Sequence, residues 1–256
     1  MSAALANADL LPLIPTSQTS TDLWDHEWIM YLDLPGCDIR GYLRHHTKLT
    51  PIKGAAERTA KLTASQMLDH KLFSDMVTLC IWANGSDLVG KSVVEIGCGP
   101  GYLGKQLGFV AKEYVGMDHS KLAVSIARLV SRDNCRYMHL SETDKILGCR
   151  ERFDTMVGRF FFIHQNFDNA LHLMRLAHLI LKPTGVVCAD FYRGNPAVEQ
   201  GVVYPAKSPL HPETPSCGFQ YSDDDIKELA DRTGFKIGPT ERHLDMQRQF
   251  VRFEKA

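Results

Sequence analysis

The hydrophobic pattern of this chain changes period along its length, and each change marks an element. Residues 1 to about 20 are mostly small or polar, include Pro12 and Pro15, and read as a loose arm. The aromatic-rich stretch Asp22–Leu32 predicts a helix carrying Trp24, Trp28 and Tyr31, ended by Pro35-Gly36. That helix either packs its aromatics onto a core or lids a small-molecule pocket, and both can hold at once. Residues 58–82 place Leu62, Met67, Leu68, Leu72, Met76 and Val77 at roughly helical spacing and predict further helix.

Beyond the turn signal Asn84-Gly85, short apolar runs alternate with amphipathic stretches. Val93–Ile96, Tyr114–Asp118, Cys135–Met138, Phe153–Gly158 and Val186–Phe191 read as five buried strands. Between them a helix begins at about Tyr102, and another, Lys121–Val130, has Ser120 as its cap. A third is opened by Asn166 or Asp168 and carries Leu171, Met174, Leu179 and Leu181. Strands alternating with helices predict right-handed crossovers and a doubly wound, mostly parallel α/β sheet.

The rhythm breaks after Phe191. Residues 193–220 are rich in Gly, Pro, Ser and Val with little periodicity, and so long an irregular piece reads as a binding loop or lid. Ser222 then opens a helix with three acids in its first turn, and Thr233-Gly234 closes it. Phe235–Thr240 and Gln247–Phe253 follow without an intervening helix, which predicts an antiparallel strand pair. The expected organisation is an arm and helical cap over 1–84, then a core over 85–256 with an insertion at 193–220.

Composition narrows the classes. At 256 residues the chain suits one sizeable domain with material left over. Twenty-nine basic against thirty acidic residues leave no bulk electrostatic case for nucleic acid. Seven scattered cysteines form no C-x-x-C or zinc-like pair, so reduced thiols in the cytoplasm are expected, with no metal site. The longest apolar runs fall short of the ~18 residues that a membrane helix needs. No Lys or Arg precedes Arg40, which argues against a secretory or transit leader.

The candidate chemistry centres on Glu95-Ile96-Gly97-Cys98-Gly99-Pro100-Gly101-Tyr102-Leu103-Gly104. A strand breaking into alternate glycines before a helix lets a ligand approach the backbone and meet free N–H groups. Two registers fit. Gly99 to Gly104 matches GxGxxG, with Asp118 where a dinucleotide fold keeps its ribose acid. Glu95-x-Gly97-x-Gly99-x-Gly101 instead resembles motif I of the class I S-adenosylmethionine methyltransferases.

The ending discriminates, because a nicotinamide oxidoreductase would continue into a second mononucleotide half. Residues 85–255 resemble the methyltransferase family in motif I, in Asp118, in Phe153–Arg159, in Leu181-Lys182-Pro183-Thr184-Gly185, and in the closing helix with two strands. The resemblance implies a Rossmann-like fold and S-adenosylmethionine as cofactor. It puts Glu95, Gly97, Cys98, Gly99, Gly101 and Tyr102 around the methionine and ribose side. Asp118 would accept the ribose hydroxyls, His119 would flank the adenine, and Ser141-Glu142 would supply the adenine-side acid, departing from the commoner Gly-Asp. Arg159 would face the cofactor carboxylate or serve a structural salt bridge.

Gly158-Arg159-Phe160-Phe161 lacks the Pro-Pro-Tyr of amino-methylating enzymes, the Pro-Cys of cytosine-C5 enzymes and the acids of catechol enzymes. Within the resemblance that leaves a metal-free enzyme, and the expected helical cap and 193–220 insertion point to a small-molecule acceptor; the expected reaction is transfer to its O or N, with no membrane partner. A protein or RNA acceptor and a non-catalytic cofactor-binding partner are the competing classes. Transfer from a sulfonium is an in-line displacement, so alignment and water exclusion matter most. His164 is the candidate base, with a capping or core role as its alternative. Trp28, Tyr31, Tyr192 and Arg193 are the candidate acceptor contacts.

Overall fold

The computed structural model describes residues 24–25, 28–29, 53–68, 71–74, 77–78, 81–193, 203–207, 215–243 and 247–256. Trp24-Asp25 and Trp28-Ile29 are helical, while Tyr31 and the remainder of the expected aromatic helix lie outside the described residues. Two short helices follow, α1 (Ala55–Thr59) and α2 (Ala64–Leu68).

The helix expected over 58–82 does not continue. β1 (Lys71–Ser74) and β2 (Val77–Thr78) pair antiparallel instead, with Lys71 opposite Thr78 and Ser74 opposite Val77. Leu72 and Met76 mimic helical spacing, but Phe73, Val77 and Thr78 favour extended backbone, and the pairing supplies its hydrogen bonds. Residues Gly85–Asp87 form one 3-10 turn.

The core then builds in the expected alternation. β3 (Ser92–Ile96), α3 (Tyr102–Leu107), β4 (Glu113–Asp118), α4 (Lys121–Leu129) and β5 (Cys135–His139) come first. α5 (Thr143–Leu147), β6 (Phe153–Gly158), a 3-10 turn at Phe162–His164, α6 (Phe167–Ile180) and β7 (Leu181–Tyr192) follow. Ser120 caps α4 by accepting the Ala123 N–H, and Asn166 caps α6 by accepting that of Asn169.

The seven-stranded sheet runs β10-β11-β7-β6-β3-β4-β5, where β10 is Phe235–His243 and β11 is Arg248–Lys255. β3 to β7 are mutually parallel, and β11 pairs antiparallel with both β7 and β10. A doubly wound sheet, mostly parallel with an antiparallel pair at the end, is therefore what forms.

The central strands β3, β4, β6 and β7 are buried on both faces, which is why they read as continuous apolar runs, whereas the edge strand β10 is largely exposed. Alternate residues serve opposite layers. Val93, Tyr114 and Tyr137 pack with Leu103, Leu107, Val124 and Ala127 of α3 and α4. Val94, Ile96, Val115 and Met117 pack in the other layer, which Leu173, Met174, Ile226 and Leu229 join from the opposite helices. Phe153, Phe162, Phe191 and Phe253 are fully buried there, each worth roughly 1.5–3 kcal/mol of transfer free energy.

The stretch 193–220 is less irregular than its composition suggests. Its described part forms a second antiparallel pair, β8 (Val203–Lys207) with β9 (Pro215–Phe219), Val203 lying opposite Phe219. Both strands of an isolated ribbon are edges, so Pro205 and Pro215 can sit there without breaking a ladder on two sides. The Tyr221 N–H donates to the Tyr192 carbonyl at 3.0 Å, tying the far end of the insertion back to β7.

α7 (Asp223–Thr233) shows how local sequence sets an element. Ser222 and Asp225 form a reciprocal capping box, at 2.9 Å and 2.8 Å, and Gly234 stops the helix at φ 75°. Replacing Ser222 by Ala removes the acceptor for the Asp225 N–H. The expected cost is about 1 kcal/mol, read as a lowered thermal midpoint, whereas Ser222→Asp keeps an acceptor and should hold the midpoint near wild type.

Candidate functional site

β3, β4 and β6 all end on the same edge of the sheet, and the segments leaving them surround a cavity of about 340 Å³. Open α/β sheets bind ligands outside the carboxyl ends of their strands. The loop after β3 contributes Gly97, Cys98 and Gly99, with Tyr102 at the start of α3. Asp118 and His119 come from the end of β4, and Glu95 from β3 itself. The segment after β6 adds Arg159, Phe160, Phe161 and His164, and the N-terminal helical residues Trp24 and Trp28 face them.

The glycines at 97 and 99 are required by geometry. Both have positive φ, 73° and 51°. A Cβ on Gly97 would lie 2.2 Å from the Phe161 ring, and one on Gly99 would lie 2.7 Å from the Trp28 ring. Gly101 shares the positive φ, at 87°, but has a different place. It does not line the cavity, and a Cβ there would meet the Tyr137 hydroxyl at 2.8 Å, so its bareness lets α3 pack on β5.

Asp118 organises the edge. Its Oδ2 accepts the Gly99 N–H and its Oδ1 accepts the Ser120 N–H, both at 2.8 Å. One carboxylate thus joins the glycine loop to the start of α4. Each oxygen keeps a second lone pair for a further donor. Burial raises its pKa, opposed by the N–H groups of Ser120 and Gly99.

Glu95 is buried and accepts a hydrogen bond from the Tyr114 hydroxyl. Burial pushes its pKa from the ordinary 4.5 up to about 7, while the Arg159 guanidinium pulls the other way. His119 shows the opposite sign, because burial disfavours its cation and lowers its pKa to about 4. Its Nδ1 is buried and has no hydrogen-bond partner among the described residues. Cys98 is also buried, and its thiol pKa is raised well above the ordinary range, which disqualifies it as a thiolate nucleophile at neutral pH.

The aromatic wall is tied in from two directions. His164 packs edge-on against Trp24, with ring centroids 5.0 Å apart. Beside Trp24, Asp25 Oδ1 accepts the Ser120 hydroxyl at 2.5 Å and the Leu122 N–H at 3.1 Å. The N-terminal segment is thereby hooked onto the start of α4, one residue past His119.

Other expected residues lie elsewhere. Ser141 is exposed with its hydroxyl on His139 Nδ1 at 2.5 Å. Glu142 accepts the His139 N–H and pairs with Arg128 and Lys145, and the Lys145 hydrogen bond heads the causes that bring its pKa down to about 2. Neither lines the cavity. The Tyr192 hydroxyl donates to Gln247 at 2.5 Å, and Arg193 pairs with Asp223 at 2.8 Å beside α7, both outside the lining.

Phe160, Phe161 and Asp25 belong to the site without being candidates from the sequence. The run Phe160-Phe161-Phe162 beside Arg159 was a usable signal for the first two. Asp25 offered none, because its partner is 95 residues away. Among the described residues no three His, Cys, Asp or Glu side chains gather as a metal cluster, and no helix is long and apolar enough to cross a membrane.

Comparison with known proteins defines the class. The sequence model of the methyltransferase domain family matches residues 68–238, two thirds of the chain. This chain belongs to that family, the class I methyltransferases that use S-adenosylmethionine. The fold is similar to that of an S-adenosylmethionine-dependent methyltransferase from Methanosarcina mazei, with a TM-score of 0.52 at 15% identity over 64% of this chain and 92% of that one. One from Mesorhizobium loti gives a TM-score of 0.52 at 17% identity over 66% and 92%. A structure described under conversion of a disulfide bond into a thioacetal group during echinomycin biosynthesis gives 0.51 at 17% identity over 66% and 78%. No curated protein sequence matches this chain significantly.

The raised pKa of Glu95 has a signed consequence. Between 4.5 and about 7 the folded state holds a proton that the unfolded state has released, so this group's contribution to stability falls as pH rises through that window. Glu95→Gln removes the dependence. Thermal midpoints at pH 5 and pH 8 should show the variant gaining on wild type at the higher pH, by roughly 3 kcal/mol at most. A parallel pH response in the two proteins would contradict a buried, protonated Glu95.

Proposed function

We propose that this protein transfers the methyl group of S-adenosylmethionine to an oxygen or nitrogen atom of a small molecule. The supporting observation is the cavity edge itself. It combines backbone bare at Gly97 and Gly99, two buried carboxyl groups at Glu95 and Asp118, and a buried Nδ1 on His119 with no partner among the described residues. These features suit a ligand with a cationic methionine end and a hydroxylated, heteroaromatic nucleoside end.

In this reading Asp118 receives the two ribose hydroxyls on its spare lone pairs. His119 Nδ1 meets the adenosine side. Glu95 and Arg159 hold the ammonium and carboxylate of the amino-acid end, and Cys98 and Tyr102 flank them. Ser141 and Glu142 act at one remove, by fixing His139, whose Nε2 lies 2.6 Å from the His119 carbonyl oxygen. Bound there, the cofactor would supply an electrophilic methyl group on its sulfonium.

The chain's own work is then alignment, dryness and proton removal. Trp24, Trp28, Phe160 and Phe161 are the apolar walls, and they favour a small, flat acceptor over an extended polymer. Trp24 and Trp28 supply the cap's described contribution to the cavity; most of the expected arm and cap over 1–84, and much of the expected lid over 193–220, lies outside the described residues. His164 takes the proton from the acceptor atom as its lone pair attacks.

Calorimetry should register binding of S-adenosylmethionine and of S-adenosylhomocysteine but not of NADH. Asp118→Ala should weaken that binding by about 1.5–3 kcal/mol, the range for hydrogen bonds to a charged group. Binding of NADH in place of the sulfonium would overturn the assignment.

His164→Ala separates catalysis from packing. With a phenol or amine acceptor found by screening for S-adenosylhomocysteine release, kcat should drop roughly 10²–10⁴-fold while cofactor affinity holds. A lowered thermal midpoint with activity per folded molecule preserved would make His164 a packing partner of Trp24 instead. A raised KM with kcat unchanged would make it an acceptor contact.

A further inference from the structure

The segment after β6 turns on a backbone conformation that its residues disfavour. Phe160 has φ 55°, in the left-handed region that crowds any Cβ. Two side chains from outside the segment hold it there. Asp190, near the end of β7 and buried, accepts the Phe160 N–H through Oδ1 at 2.6 Å. Its Oδ2 is paired with Arg248, the first residue of β11. The Arg248 guanidinium in turn lies over the Phe160 ring, 4.1 Å from the centroid. A carboxylate and a guanidinium thus grip the strained residue by its amide and its ring.

Neither Asp190 nor Arg248 lines the cavity, whereas Arg159, Phe160 and Phe161 do. Phe161 also packs against the bare Gly97. Whatever fixes Phe160 therefore fixes how its two neighbours stand toward the glycine loop. Stability alone is a poor account of the pair. The Asp190 carboxyl is 3% exposed and the Arg248 side chain 16%, and burying such charges cancels much of their attraction. A strained residue gripped at two points on a cavity wall is the arrangement expected of a preorganised site.

We propose that Asp190 and Arg248 are positioning residues for the cofactor pocket, holding Phe160 in its left-handed conformation so that Arg159 and Phe161 keep their places on the wall. This rests on the cofactor assignment above, and it concerns residues that would not themselves touch the ligand.

The test is a double-mutant cycle read as affinity for S-adenosylhomocysteine by calorimetry, on the full chain. Asp190→Asn should weaken binding about tenfold. In a Phe160→Gly background, where glycine adopts positive φ freely, the same change should cost less than about threefold. Arg248→Lys keeps a cation beside Asp190 but loses the flat guanidinium over the ring. It should show the same pattern, and it carries the test should Asp190→Asn fail to fold by circular dichroism.

Equal losses in both backgrounds, or unchanged affinity in folded variants, would overturn the proposal. A wild-type protein that binds no S-adenosylhomocysteine would instead overturn the cofactor assignment, and the positioning role with it.

Discussion

The carboxylate of Asp118 is the constraint on which the site depends. It sits at the end of a buried strand and receives one backbone N–H from each side, Gly99 from the glycine loop and Ser120 from the start of α4. Ser120 passes the linkage on, since its hydroxyl both caps α4 and donates to Asp25. Three separate pieces of chain, the loop after β3, the turn after β4 and the N-terminal segment, thus converge on neighbouring atoms. Hydrogen bonds to a charged group are stronger than neutral ones. The arrangement therefore fixes the cavity edge more firmly than apolar packing alone would.

Electrostatics divides this edge by protonation. Glu95 is pushed up to about 7 and His119 down to about 4 by the same cause, withdrawal from water. Near neutrality the cavity therefore holds less charge than its residue types suggest. Its aromatic side, formed by Trp24, Trp28, Phe160 and Phe161, is apolar from the outset. A cationic group arriving beside Glu95 favours its ionised form, which is how a buried acid can select a cation without standing fully ionised in its absence.

The parts of the fold legible in the sequence were those set by local rules. Five strands of apolar residues, the caps at Ser120, Asn166 and Ser222, and the glycine stop at Gly234 all appeared where periodicity and capping chemistry place them. The exceptions have physical reasons. Residues 71–78 carried a helix-like spacing that β-branched and aromatic residues overrode. The 193–220 stretch hid an antiparallel pair behind prolines that an edge can accommodate. At the site, Glu95, Gly97, Gly99, Asp118, His119, Arg159, His164 and Trp28 were legible and do meet at one cavity, while Gly101 stands outside its lining. Asp25, Asp190 and Arg248 were not, because each acts through contacts to residues far away in the sequence, 95 for Asp25, 30 and 58 for Asp190.

The placement of β11 between β7 and β10 bears on how the molecule comes together. Arg248 and Asp190 are 58 residues apart in sequence, and they meet only once β11 has docked beside β7. Contacts that close so long a loop incur their entropy cost before they give any return, and they tend to form late. The glycine loop and Asp118, by contrast, belong to strands adjacent in both sequence and space. Loop closure alone predicts that the glycine-loop wall of the cavity forms before the Phe160 wall. A chain arrested before its final strand docks would already hold the loop and its acids, while Phe160 would keep only the Asp190 hydrogen bond and lack the guanidinium over its ring.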